Sequence, residues 1–140
     1  MYVYDMEKTM MLKEKLTEQV PVWRERARKL LSESGDTVVG DVTLRQVYGG
    51  MRGVKSLVTD ISYVDPNEGI RLRGYTIPEL LGLLPKPAGA EIPMVGGLYY
   101  LLLTGEIPTM DQAMEVEDEW KARAALPEHV LKVLEFMANK

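Results

Sequence analysis

The sequence between Val42 and Tyr75 constrains the fold more than any other part of the chain. It concentrates glycine and arginine, and it contains the clearest hairpin signal. Glycine disfavours helix because its backbone has more conformational freedom to lose. The sequences on both sides have the periodicity of helices instead. We therefore expect a mainly α-helical chain around a non-helical centre, and that centre contains no complete active site.

A β-hairpin is predicted at about residues 59–74. Residues 59–64 alternate polar and apolar side chains, residues 65–69 read Asp-Pro-Asn-Glu-Gly, and residues 70–75 alternate again. Pro66 presets its own φ angle, while Asn67 and Gly69 tolerate left-handed backbone. The natural interpretation is two short strands joined by a five-residue loop.

Arg71 and Arg73 are two residues apart in the second predicted strand and should share one face of it. Two interpretations are open for this pair. They could bind an anionic ligand, or they could form ion pairs with nearby carboxylates such as Asp60 or Glu68. The ion pairs are favoured from sequence alone, because such surface pairs are common in proteins.

The N-terminal region predicts helix with a bend at Pro21. Apolar residues recur every three or four positions, which places them on one stripe: Leu12, Leu16, Val20, Trp23, Ala27 and Leu30. Proline lacks the N–H group and its ring clashes with the preceding turn. We therefore expect two helical pieces, about Met6 to Val20 and about Val22 to Ser34, followed by a stop at Gly35.

The C-terminal half predicts a series of short helices separated by prolines and glycines. Two Thr-x-x-Glu/Gln capping boxes, at Thr76 and Thr109, mark helix starts. The predicted helices and their limits are one from Thr76 to before Pro85, an apolar one over Pro93–Thr104, one from Thr109 to about Ala125, and one from Pro127 to Lys140. The apolar helix should be interior or buried at an interface.

The most suggestive segment for ligand binding is Gly49-Gly50-Met51-Arg52-Gly53. It follows a predicted short strand or extended segment at residues 37–43 and a helical turn at residues 44–48. Glycine can leave backbone N–H groups accessible, and the guanidinium of Arg52 suits phosphate or carboxylate. The spacing matches neither known phosphate-loop fingerprint, so a tight packing turn is the competing interpretation.

Composition bounds the remaining possibilities. The chain has 140 residues, a net charge of −4 and no cysteine, which excludes disulfides and cysteine-ligated metal. We expect one segment, no metal site, no nucleic-acid partner and no membrane span, since the longest apolar run, Leu98 to Leu103, is far below the roughly 20 residues needed. The N-terminus has neither secretory nor transit-peptide character, so a cytoplasmic location is predicted.

Three strings in this sequence resemble the citrate synthase family. They are YGGMRGVKSLVTDISYVDPNEGIRLRGYTIPELLGLLPK, GLYYLLLTGEIPT and EWKARAALPEHV. The likeness runs from about Thr37 to the C-terminus, and the first 36 residues agree only in helical character. It implies that residues 1–140 form the N-terminal portion of a citrate-synthase-like large domain, about the first third of the enzyme.

The resemblance implies an enzyme that joins acetyl-CoA to oxaloacetate and releases citrate and CoA, working as an α-helical homodimer. Such chemistry needs an acid, a base and anion-holding arginines. The family's catalytic histidines and aspartate have no counterpart here, and His129 matches neither histidine, so it is interpreted as a surface or packing residue. Arg52 matches the arginine that helps to bind the CoA phosphates, which makes it the one candidate site residue.

Three hypotheses about function follow. The chain is the N-terminal part of a citrate synthase and is inactive alone, or it is a non-catalytic interaction subunit, or it is a stand-alone anion- or CoA-binding helical module. Acetyl-CoA is then a co-substrate of the complete enzyme, and no cofactor is bound covalently. The expected partners are a second copy of the chain or the remaining part of the same enzyme, because its apolar helices should promote self-association.

Overall fold

The computed structural model describes residues 11–55 and 57–138, and it is mainly helical, as predicted. Its helices and strands, in chain order, are α1 (Met11–Ser34), α2 (Leu44–Tyr48), β1 (Ser62–Asp65), β2 (Gly69–Leu72), β3 (Tyr75–Thr76), α3 (Ile77–Leu83), α4 (Val95–Thr104), α5 (Met110–Ala122) and α6 (Glu128–Ala138).

Helix α1 continues through Pro21, so the prediction of two separate helical pieces is wrong. Proline removes one backbone hydrogen bond, the one that its N–H would donate to the carbonyl of Thr17. The bonds on either side persist, and α1 is further held by packing against α4 and α5. The predicted end at Ser34 is confirmed. The part of the prediction before Met11 lies outside the described residues.

The predicted hairpin is confirmed, with a shorter loop. Strands β1 and β2 are antiparallel, and Asp65 pairs with Gly69, which leaves three residues in the loop. The Asp65 carboxylate accepts hydrogen bonds from the N–H groups of Glu68 and Asn67, over 3.0 and 2.8 Å, and these bonds lower the pKa of Asp65. The third strand, β3, pairs with β2 in an antiparallel sheet of order β1-β2-β3 and was not predicted.

Arg71 and Arg73 do not share a strand face, contrary to the sequence prediction. Strand β2 ends at Leu72, and the chain then turns back into β3 through Arg73 and Gly74, with φ angles of 50° and 87°. Because both residues are left-handed, the strand alternation stops before Arg73. The side chain of Arg73 is therefore directed toward α4.

Local sequence signals located most of the remaining elements. Thr76 and Thr109 form the predicted capping boxes, and Gly105 ends α4 with a left-handed φ of 79°. Helix α5 ends at Ala122, somewhat before the predicted limit. Residues 37–43 form no strand in the described chain; the last of them, Thr43, has extended backbone and is the N-cap of α2.

The core lies where α3, α4 and the sheet meet. Leu80, Leu84 and Leu101 are its buried centre, and the partly buried residues packed around them are Leu72, Tyr75, Leu98 and Ile107. Helix α4 also packs closely on α5, as predicted for an interior helix. A Cβ atom added at Gly96 would lie 2.5 Å from the carbonyl oxygen of Ala113, so only glycine permits this approach.

Among the helices of the described residues, none is both long and apolar enough to cross a membrane.

Candidate functional site

The glycines of the Gly49–Gly53 segment end helix α2. The N–H groups of Gly49, Gly50 and Met51 donate to carbonyl oxygens of α2 over 3.0, 3.1 and 2.7 Å. Gly50 has a φ of 74°, the left-handed conformation typical of a helix C-terminus. These three N–H groups are therefore used within the chain. The prediction that this segment offers its backbone N–H groups to an anion is therefore wrong for these three residues.

Arg52 lies in the turn that follows. The N–H of Val54 donates to the carbonyl oxygen of Met51 over 3.2 Å, and Gly53 has a φ of 74°. Glycine at this position of a four-residue turn supplies the positive φ that a type II turn needs. The side chain of Arg52 is exposed and makes no hydrogen bond or ion pair with any described residue. The turn thus presents a free guanidinium to solvent.

A small cavity of about 220 Å³ lies beside this turn, and Gln46, Gly53 and Lys55 contribute to its lining. The Gln46 side chain is held by the α2 capping box, where its Oε1 accepts from the N–H and the hydroxyl of Thr43 over 2.9 and 3.1 Å. Asp41 also lines the cavity, so its charge is mixed. The lining thus contains one cationic side chain, Lys55, and one carboxylate, Asp41, and the Arg52 side chain is not part of it.

Arg71 and Arg73 make the ion pairs that the sequence favoured. Arg71 lies 2.8 Å from a carboxylate oxygen of Glu68, and Arg73 lies 3.0 Å from Asp60. Arg73 also donates from Nε and Nη2 to the carbonyl oxygen of Leu102, over 3.0 and 2.7 Å. Its side chain is only 10% exposed. Arg73 therefore holds the C-terminal end of α4, where helix carbonyls lack partners within the helix.

His129 is exposed in the first turn of α6, in agreement with its interpretation as a surface residue. Within residues 11–55 and 57–138, no three histidine or acidic side chains are grouped in a way that could hold a metal ion. Acid–base catalysis needs a positioned proton donor and acceptor around one reacting atom. His129 has no such surroundings in the described chain.

A second concave surface was not predicted. It is an apolar groove of about 1160 Å³ between α1, α4 and α5, here named the three-helix groove. Its apolar lining is formed by Leu12, Leu16, Val20, Pro21, Tyr99, Leu103, Val116, Ala122 and Trp120. The rings of Tyr99 and Trp120 meet edge to face at 5.2 Å. The apolar stripe of α1 was visible in the sequence, but nothing there showed that it would line a groove with α4 and α5.

One end of this groove holds a carboxylate with an incomplete set of partners. Glu115 Oε1 accepts a hydrogen bond from the N–H of Met11 over 3.0 Å, whereas Oε2 is buried without a partner in the part of the chain described. Burial raises the pKa of Glu115, and the hydrogen bonds from the N-terminal end of α1 oppose that rise. The contact links α1 to α5.

The fold and the site together define a mainly helical protein with an arginine-bearing turn after a short helix. The family model described as "Citrate synthase, C-terminal domain" matches residues 50–140. The chain is also 48% identical over 124 residues to proteins named "Citrate synthase, mitochondrial" from Kajikia audax and from Xiphias gladius. The chain therefore belongs to the citrate synthase family, as the resemblance indicated.

The aligned region covers 89% of this chain and 26% of each of these two relatives, so the chain spans about a quarter of their length. The position of that quarter within the enzyme stays a prediction. Both relatives are named as mitochondrial proteins. The cytoplasmic location predicted from the N-terminal composition is wrong, because the composition of those few residues did not report the compartment.

Proposed function

We propose that this chain is part of a citrate synthase, an acyltransferase that joins acetyl-CoA to oxaloacetate and releases citrate and CoA. Its role is to supply Arg52 for binding the phosphates of CoA, and it does not catalyse the reaction alone. The observation that carries this proposal is the free, exposed guanidinium of Arg52 on a fixed turn of a citrate synthase family chain. A guanidinium binds phosphate oxygens through strong charge-assisted hydrogen bonds.

The N–H groups of Gly49, Gly50 and Met51 are already bonded to carbonyl oxygens of α2, so they do not compete with Arg52 as donors to an anion. With those three amides used by α2, the Arg52 side chain is the charged donor that the segment offers to an anion. One arginine supplies few contacts against the entropic cost of binding, so CoA should bind weakly to the chain by itself. Arg52 should matter most where the rest of the enzyme also holds the ligand.

The test is a chimaeric enzyme in which this chain replaces the matching quarter of the citrate synthase of Xiphias gladius. Arg52→Ala should raise the KM for acetyl-CoA by about ten- to a hundredfold, the range expected for losing a charged hydrogen-bond partner. The KM for oxaloacetate should stay within about twofold. The matched control is Arg24→Ala, an exposed arginine of α1 with no ion pair in the described chain.

Equal effects of the two substitutions, or none from Arg52→Ala, would reject the role of Arg52. The 140-residue chain should also form no citrate from acetyl-CoA and oxaloacetate, and turnover by that chain would contradict the non-catalytic part of the proposal.

We also propose that the chain associates with a second copy of itself or with the remaining part of the same enzyme. Large apolar side chains of α6 remain exposed, including Leu131, Leu134 and Met137 at 45, 50 and 66%. Contiguous apolar surface of this kind marks interaction sites in proteins. Sedimentation of the 140-residue chain should therefore show concentration-dependent association, and a sharp monomer at high concentration would contradict it.

A further inference from the structure

We propose that Met51 is a positioning residue for Arg52: its left-handed backbone fixes the direction in which the turn presents the guanidinium to the CoA phosphates. The inference rests on the proposed function of Arg52 and adds a second residue to it. Met51 does not need to touch the ligand, because it acts through the residue that follows it.

The backbone of Met51 has an unusual conformation. In the described part of the chain, two residues other than glycine have a positive φ, Met51 at 61° and Arg73 at 50°. A side chain crowds the backbone in this region, so the conformation persists only where other contacts enforce it. Arg73 is held by its own side chain, which donates to the carbonyl oxygen of Leu102. Met51 is 49% exposed, and the hydrogen bonds that hold it are those of its main chain.

These main-chain bonds lie on both sides of Met51. Its N–H donates to the carbonyl oxygen of Gln46 over 2.7 Å, and the N–H of Gly50 donates to that of Val47 over 3.1 Å. Together with the left-handed Gly50, these two bonds form the Schellman motif that ends many helices. The carbonyl oxygen of Met51 accepts the hydrogen bond that closes the turn containing Arg52. Met51 therefore joins the end of α2 to the arginine turn.

The partner of the Met51 N–H is itself fixed. The Gln46 side chain accepts hydrogen bonds from the N–H and the hydroxyl of Thr43, and the Gln46 N–H donates back to that hydroxyl over 3.2 Å. A Cβ atom added at Gly53 would lie 4.0 Å from Gln46 Nε2, so the arginine turn also lies close to this side chain. Gln46 thus connects the start of α2, the residue that joins helix and turn, and the turn itself.

With helix and turn each closed by their own hydrogen bonds, the dihedral angles of Met51 set the direction of Arg52. The apparent affinity of a ligand falls in proportion to the fraction of molecules that hold the binding conformation. A glycine at position 51 would reach the same φ but would also sample many other conformations. Methionine in an enforced left-handed conformation keeps that fraction high.

Two substitutions of Met51 in the chimaeric enzyme described above test this role. Asparagine tolerates left-handed backbone, whereas the branched side chain of isoleucine disfavours it. Met51→Ile should raise the KM for acetyl-CoA at least about threefold, and by no more than Arg52→Ala does. Met51→Asn should leave it within about twofold, and both variants should leave the KM for oxaloacetate within about twofold.

The order of the two variants separates the backbone from the side chain. Isoleucine resembles methionine in its apolar character and asparagine does not. A role for the Met51 side chain would therefore make Met51→Asn the more damaging change, the opposite of the expected order.

The double variant Met51→Ile, Arg52→Ala tests whether Met51 acts through Arg52. Its KM for acetyl-CoA should equal that of Arg52→Ala alone, because a positioning residue has no effect once the group that it positions is gone. The matched control is Met114→Ile in α5, at a methionine that is 46% exposed. It should leave both KM values unchanged.

Circular dichroism and thermal unfolding show whether each chimaera is folded. If Met51→Ile fails to fold, Met51→Ala takes its place, because alanine is smaller and also disfavours left-handed backbone. The same rise in the KM for acetyl-CoA is then expected of Met51→Ala.

The outcomes distinguish this inference from the role of Arg52. An unchanged KM for acetyl-CoA in Arg52→Ala would overturn both. If Arg52→Ala raises that KM but Met51→Ile does not exceed Met51→Asn, the positioning role of Met51 alone is overturned. A further rise caused by Met51→Ile in the Arg52→Ala enzyme would also overturn it, because Met51 would then act independently of Arg52.

Discussion

The region around α4 and the region around α2 use glycine for opposite purposes. At α4, Gly96 allows another helix to approach, and the neighbouring Leu101 is fully buried. After α2, Gly50 and Gly53 turn the chain while Tyr48 stays 93% exposed. Packing therefore stabilises the first region, whereas the second is fixed mainly by local hydrogen bonds. Because the turn after α2 is exposed, its Arg52 side chain is accessible to a ligand, whereas the side chains at the centre of α4 are not.

The largest expected effect is a difference in stability loss between truncating a buried leucine and truncating an exposed one. Leu101→Ala removes a side chain with 0% exposure and should lower the free energy of unfolding by about 2–5 kcal/mol, because it leaves a cavity in the core. Leu131→Ala, on the exposed face of α6, should change it by less than about 0.5 kcal/mol at low protein concentration. Urea unfolding measures both. Similar losses would mean that α6 is part of the folded core.

The next largest effect is the difference in stability loss between replacing Arg73 and replacing Arg71. Arg73→Met should lower the free energy of unfolding by about 1.5–3 kcal/mol, because the carbonyl oxygens at the end of α4 lose a charged donor. Arg71→Met breaks a more exposed pair with Glu68 and should cost about 0–1 kcal/mol. Thermal and urea unfolding of the two variants provide the comparison. An equal cost would contradict the assignment of Arg73 to the helix end.

The smallest effect concerns the capping box of α3. Hydrogen bonds from the backbone N–H and then the hydroxyl of Thr76 lower the pKa of Glu79 below its ordinary value of 4.5. An acid whose pKa is lower in the folded state stabilises the fold above its unfolded pKa and loses that contribution as the pH falls through its folded pKa. Unfolding measured between pH 7 and pH 3 should show this loss.

Glu79→Gln keeps the capping geometry, since glutamine also serves at this position, but it removes the titrating group. The variant should therefore lose less stability on acidification than the natural chain. A steeper acid dependence in the variant would contradict the role of Glu79.

The sequence predicted the features that depend on neighbouring residues. The capping boxes at Thr76 and Thr109, the left-handed Gly105 and the hairpin turn at Asp65 are set by side chains within a few positions of the backbone they bind. Such local hydrogen bonds can be inferred from spacing alone. The same reasoning located Arg52 in a glycine turn, although its binding role stays a prediction.

Features that depend on tertiary contacts were missed or predicted wrongly. Pro21 did not break α1, because one lost hydrogen bond does not end a long helix that is packed against others. Arg73 left its strand because its guanidinium binds the end of α4, which lies far away in sequence. The three-helix groove arises from the relative placement of three helices, which no single periodicity specifies.

The glycine contact between α4 and α5 has a mechanical consequence. Gly96 lies so close to α5 that an added Cβ would be 2.5 Å from the carbonyl oxygen of Ala113, which leaves α4 little room to slide along α5 at this point. The two helices should therefore shift only together, as one rigid body. Any rearrangement has to be taken up in the joints on either side, the loop after Pro85 and the segment before Glu128.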